Sequence, residues 1–156
     1  MIKERKHRLP LELYIGEIRV TFTLCIKNKE KLFISKDIVD KFNEILMEVA
    51  AVFRLRNWVY VYMPEHLRIV LEGTDKNSNL WKAVKLFKQK TGYWLSKNRV
   101  PYCWQKDFYD YIHRKNDDLK KHIKYILENP VRAGLVQKWE DYPFKGSLDY
   151  ELENII

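Results

Sequence analysis

A chain of 156 residues has room for one domain with its own core, and an excess of Lys and Arg over Asp and Glu of 29 to 21 favours an anionic partner. No apolar run approaches the ~18 residues a membrane span needs, and the charged start Met-Ile-Lys-Glu-Arg-Lys-His-Arg lacks a secretory signal, so a cytoplasmic protein without membrane attachment is expected. Cys25 and Cys103 have no Cys or His at metal-ligand spacing, which excludes a zinc finger and a disulfide scaffold.

Glu17 to Lys27 is rich in β-branched and aromatic residues and predicts a strand. Ser35 caps a predicted helix running to about Phe53, with Ile38, Phe42, Ile45, Leu46 and Val49 on one face. Trp58 to Met63 and His66 to Glu72, split by Pro64-Glu65, predict an antiparallel strand pair. A second helix is predicted from about Asn79 to Tyr93. Pro101 to Gln105 is assigned to a further strand and Asp107 to Arg114 to a short helical or irregular bridge. Asp117 to Asn129 is the last predicted helix, ended by Pro130, and an acidic tail follows from Glu140. This order predicts an α+β fold: a single domain spanning 1–156, with an antiparallel, ferredoxin-like sheet covered by helices on at least one face.

Between Lys76 and Lys106 the chain carries eight Lys or Arg and no acid, interleaved with Trp81, Phe87, Tyr93, Trp94, Tyr102 and Trp104. Basic side chains among aromatics suit a phosphate backbone with unstacked bases. The same residues fit an ordinary amphipathic helix, with Leu80, Ala83, Val84, Phe87 and Trp94 buried and Lys82, Lys85 and Gln89 in water, and the two readings stand side by side. In Trp104 to Asp110, Trp104, Phe108 and Tyr109 read as core aromatics or as a base-stacking set, with Gln105 and Asp110 orienting the segment.

Tyr125-Ile-Leu-Glu-Asn-Pro-Val-Arg-Ala-Gly-Leu-Val136 is the most informative stretch. The Tyr125 hydroxyl and the Asn129 amide, four residues apart on a helix, share a face. Alone, the pair could equally be a packed ring and a helix cap.

In company, it resembles a family. Arg8-Leu-Pro, the strand Val20 to Cys25, Tyr62-Met-Pro-Glu-His-Leu-Arg-Ile-Val-Leu-Glu-Gly73, Trp104-Gln-Lys-Asp-Phe-Tyr-Asp110, Tyr125 to Val136 and Asp141-Tyr-Pro143 occur in the order expected of REP-associated tyrosine transposases, a branch of the HUH single-tyrosine transposases. The resemblance spans nearly the whole chain. It implies that Tyr125 is the nucleophile, attacking a phosphodiester of single-stranded or hairpin DNA to leave a 5′-phosphotyrosyl link. It further implies a weakly held Mg²⁺ or Mn²⁺ with His66 and Asn129 as ligands, DNA contacts from Arg68, Trp104, Gln105 and Arg132, to which the basic stretch adds Lys82, Lys85 and Lys88, and either a monomer or a homodimer.

One position departs from the pattern. Family members carry His-x-His on a strand, where residues i and i+2 share a face, but here the partner of His66 is Arg68. A guanidinium has no lone pair to give a metal and repels a nearby cation. Either Arg68 holds the scissile phosphate and partly replaces the ion, or the chain is an impaired or repurposed relative that binds hairpin DNA without cutting it. His122, one turn before Tyr125, could approach the site, although a lone histidine on an amphipathic helix is more often a surface group. An RNA-binding module on the same basic face is the competing class. A carboxylate nuclease has only scattered Asp residues such as Asp107 and Asp110 behind it, and no phosphate loop, His-Glu-x-x-His helix or nucleophile elbow is present.

Overall fold

The computed structural model describes residues 9–156, so Arg8 and the charged N-terminal stretch lie outside the described residues. Five strands, β1 (Arg19–Cys25), β2 (Leu55–Met63), β3 (His66–Gly73), β4 (Tyr109–Ile112) and β5 (Lys145–Gly146), form one sheet in the order β4-β1-β3-β2-β5. Every pairing is antiparallel. Helices α1 (Lys36–Phe53), α2 (Leu80–Lys97) and α3 (Leu119–Leu127) cover it, followed by the short helical turns α4 (Asn129–Arg132) and α5 (Leu152–Ile155). The α+β sheet architecture expected from the sequence is thus present.

The sheet has two unlike faces, and strand alternation decides which residue meets which. Val20, Phe22 and Leu24 of β1 and Leu67, Ile69 and Leu71 of β3 enter the main core beneath α1 and α2, where Phe42, Leu46, Val84 and Phe87 meet them. On the opposite face Val59, Val61, Met63 and Val70 form a second cluster with Ile123, Ile126 and Leu127 of α3. At about 1.5–3 kcal/mol for each fully buried large apolar side chain, the main cluster dominates stability and the second fixes where α3 lies.

β2 changes face midway. Its register with β3 slips between Asn57 and Val59, and the buried Asn57 amide occupies the irregularity, donating to Val59 O at 3.0 Å and Val70 O at 3.2 Å. Its Oδ1 accepts Leu148 N–H at 3.0 Å and its own N–H donates to Asp149 Oδ2 at 2.6 Å, tying the C-terminal segment to β2.

Three local assignments need correction. Asp107 to Arg114 contains a strand, β4, because pairing with β1 supplies the backbone partners that a lone irregular segment would lack. Pro101 to Gln105 contributes one isolated bridge, Ile26 to Trp104. Pro130 does not end the chain's helical course; it sits at the start of α4, where its missing N–H costs nothing, and Gly134 at φ 76° turns the chain afterwards.

Candidate active site around Tyr125

The β1 sequence Thr21-Phe-Thr23 alternates, so when Phe22 enters the main core the two threonines point to the α3 side. Thr21 is fully buried and Thr23 nearly so. Opposite Thr23 lies Arg68, whose Nε donates to Thr23 Oγ1 at 3.3 Å. Burial pushes this guanidinium below its ordinary value; the nearby Tyr125 hydroxyl opposes that shift and Arg132 adds to it. Arg68, Tyr125 and Arg132 are therefore within electrostatic reach of one another.

α3 brings the tyrosine. Asp118 caps it, Oδ1 accepting Lys121 N–H at 3.1 Å, and the apolar stripe Ile123, Ile126, Leu127 faces the sheet. His122 and Tyr125, one turn apart, are left along the helix margin. Both line a cavity of about 660 Å³ together with Arg68, Tyr111, Asp117, Asp118 and Lys121. Tyr125 is 57% exposed, and the Arg132 guanidinium carbon stands 3.9 Å from its ring centroid. That stacking holds a cation on one face of an exposed ring that lines the cavity.

Thr21 and His113 stand behind His122 of the cavity wall, and the sequence singled out neither. Thr21 Oγ1 lies 2.7 Å from His113 Nε2 and 2.8 Å from His122 Nε2. The two imidazoles meet edge to face with centroids 4.6 Å apart, and Tyr111 contacts both rings. Asp117 accepts from the Tyr111 hydroxyl at 2.7 Å and from Arg114 N–H at 2.9 Å. Burial first, then His122 and Arg19, pushes His113 down to about 4. Burial first, then Arg68, lowers His122, with Asp117 opposing. His122 is thus half-buried in the site rather than a surface group. Tyr111-Ile-His113 has the alternation that would have placed its rings on one face, had the segment been read as a strand.

The divalent ion implied by the resemblance does not fit this donor set. His66 offers one imidazole: its Nδ1 pairs with Glu65 Oε1 at 3.0 Å, and its buried Nε2 has no partner among the described residues. The next same-face position is the Arg68 guanidinium, and Asn129, half-buried at the start of α4, offers one neutral amide. No group of three or more His, Cys, Asp or Glu able to hold a metal occurs among the described residues. One imidazole and one amide beside a fixed cation are a poor match for ions that require several oxygen ligands.

The expected DNA-contacting set is divided. Arg68 and Arg132 stand at the Tyr125 cavity, but Lys82, Lys85 and Lys88 ride on α2, across the sheet from it. Lys88 Nζ is tied to Gln105 O at 2.8 Å and Lys106 O at 3.0 Å. Trp104 is a core aromatic: its Nε1 donates to Thr91 Oγ1 at 2.8 Å and its ring packs on Phe33, Phe42 and Phe87. Gln105 is half-buried beside it, its N–H on Cys25 O at 2.8 Å. Within the basic-aromatic stretch Leu80–Lys97 is a packed helix whose Leu80, Val84 and Phe87 enter the core, while Tyr93 is exposed. Among the described residues no helix is long and apolar enough to cross a membrane.

Comparison with known proteins places this geometry in context. Residues 15–129 match the family model described as Transposase IS200 like. A REP-associated tyrosine transposase of Escherichia coli K12 is 35% identical over 95 residues, covering 59% of this chain and 53% of the relative. A homologue of that kind from Haemophilus influenzae is 23% identical over 136 residues, covering 79% of this chain and 76% of the relative. A solved REP-associated tyrosine transposase bound to a REP hairpin superposes with a TM-score of 0.75 at 20% identity, over 90% of this chain and 81% of that one.

Proposed function

The chain belongs to the IS200-like transposase family, and on that premise we propose that it binds single-stranded or hairpin DNA and cleaves one strand with Tyr125 as nucleophile. One observation carries the reading: an exposed tyrosine that lines a cavity together with Arg68 and Lys121, with Arg132 stacked on its ring. The hairpin held by the solved structural neighbour supports DNA as the partner.

In the proposed step the Tyr125 oxygen gives up its proton and attacks phosphorus, the P–O3′ bond breaks, and the 3′ oxygen leaves and gains a proton while the fragment bearing the 5′-phosphate stays on the tyrosine. Charge on the non-bridging oxygens rises in the transition state. Arg68, fixed by Thr23 and backed by Arg132, meets that charge where the family pattern has a metal ligand. Cleavage through this arrangement does not call on a divalent ion.

The test is a labelled DNA hairpin with a single-stranded flank. A covalent adduct that resists denaturation and persists in chelator is expected, and Tyr125→Phe should abolish it while leaving hairpin binding intact. An adduct that survives Tyr125→Phe would refute the assignment. An RNA hairpin that displaces the DNA at equal concentration would favour the RNA-binding class instead.

A further inference from the structure

A buried threonine hydroxyl is held between two imidazoles, one of which lines the Tyr125 cavity, and its hydrogen-bond inventory is restrictive. Thr21 has one proton and accepts on its own oxygen, while each neutral imidazole carries one N–H and one bare nitrogen. With both Nε2 atoms on Thr21 Oγ1, at 2.7 and 2.8 Å, a chain in which the hydroxyl donates one way and accepts the other needs opposite tautomers in the two rings. His113 is the closed end, because its Nδ1 is buried without a partner among the described residues. His122 is the end that lines the Tyr125 cavity.

We propose that His122, oriented by the hydroxyl of Thr21 against His113, accepts the proton of the Tyr125 hydroxyl during attack. This rests on the strand-cleavage reading above. In the productive order His122 Nε2–H donates to Thr21, the Thr21 hydroxyl donates to His113 Nε2, and His122 Nδ1 is bare. The tyrosine O–H bond breaks as the O–P bond forms, His122 takes the proton, the P–O3′ bond breaks, and the 3′ oxygen is protonated by solvent. Imidazolium then returns its proton to solvent. A charged His122 has both nitrogens protonated, which fixes the direction of the Thr21 bridge. Thr21 and His113 are positioning residues.

The groups facing the pair restrict it to one charge at a time. Arg19 of β1 and Arg68 of β3 disfavour imidazolium, Asp117 favours it, and Tyr111, Asp118, Lys121 and Tyr125 complete the surroundings. With the rings only 4.6 Å apart, charging one opposes charging the other. His113, held down to about 4, stays neutral while His122 cycles.

The experiment is single-turnover adduct formation on the DNA hairpin from about pH 5 to about pH 9, for wild type, His122→Gln and Thr21→Val, with hairpin affinity as the folding control. Wild type should lose rate on the acid side as His122 is protonated. His122→Gln should be slower by about 100-fold at neutral pH and lack that acid limb. Thr21→Val should keep an acid limb, moved in pH, at reduced rate. Imidazole ¹⁵N spectra of the DNA-free protein should show one Nε2–H and one Nδ1–H tautomer in wild type, and loss of that ordering in Thr21→Val. An adduct with rate and acid limb unchanged in His122→Gln would overturn the proposal and leave Tyr125 cleavage standing. Absence of any wild-type adduct would overturn cleavage and the proposal together.

Discussion

Acidification should cost this protein stability in a window set by His113. An unfolded histidine takes its proton at ~6.5, whereas burial and the neighbouring His122 and Arg19 hold folded His113 at about 4. Between those values the unfolded chain binds more protons than the folded one, so stability is full above the unfolded value and falls as pH drops towards 4. At about 1.36 kcal/mol per pH unit the whole gap comes to about 3.4 kcal/mol. The imidazole is partly open to water, which screens the interaction, and about 1.5–2 kcal/mol is the expected loss. His122 is shifted the same way and adds to the slope. Urea unfolding at intervals through this window measures it. His113→Gln can keep a side-chain amide near Thr21 but cannot titrate, and its stability should decline by less than half as much as wild type over the same range. Parallel decline in the two proteins would refute the reasoning, and would mean that His113 is charged in the folded state or that carboxylates govern the window.

Arg68→His restores two same-face imidazoles with His66, and calorimetry should then detect Mn²⁺ binding that wild type lacks. Arg68→Ala should weaken hairpin binding by roughly 10- to 150-fold, the equivalent of about 1.5–3 kcal/mol for a charge-assisted phosphate contact. Because Lys82, Lys85 and Lys88 lie across the sheet from Tyr125, replacing all three by Gln should leave the salt slope of hairpin binding nearly unchanged, while Lys121→Gln with Arg132→Gln should flatten it by about two. Asn57→Ala strands two backbone carbonyls and Leu148 N–H, and should lower thermal stability by about 2–4 kcal/mol.

The long elements were legible because their hydrophobic spacing is uninterrupted. α1 buries Phe42, Ile45, Leu46 and Val49 as its period requires, and β1 and β3 alternate cleanly. Tyr125 and Arg68 were found through motif positions that the family match now covers. What failed was long-range information. The pairing that makes β4 a strand lies in β1, some ninety residues upstream, and without it neither His113 nor Thr21 has a visible role. The basic stretch left two readings open for a related reason: charge along a helix says nothing about which side of a sheet that helix occupies. Only the burial of Leu80, Val84 and Phe87 in the core with the β1 and β3 residues fixes it.

The clasp that Asn57 makes with residues 147–149 guards a border. Without the C-terminal segment, β2 would be a nine-residue outer strand rich in Val, Tyr and Trp, with a row of open amides along one side. β5 pairs with only Tyr60 and Val61, yet Tyr142 seals the next stretch by donating its hydroxyl to Tyr62 O at 2.6 Å. A chain cut after Tyr125 would keep nearly every residue of the main core, but would present that strand as a template for joining other copies, and self-association into β-rich aggregates is its expected fate.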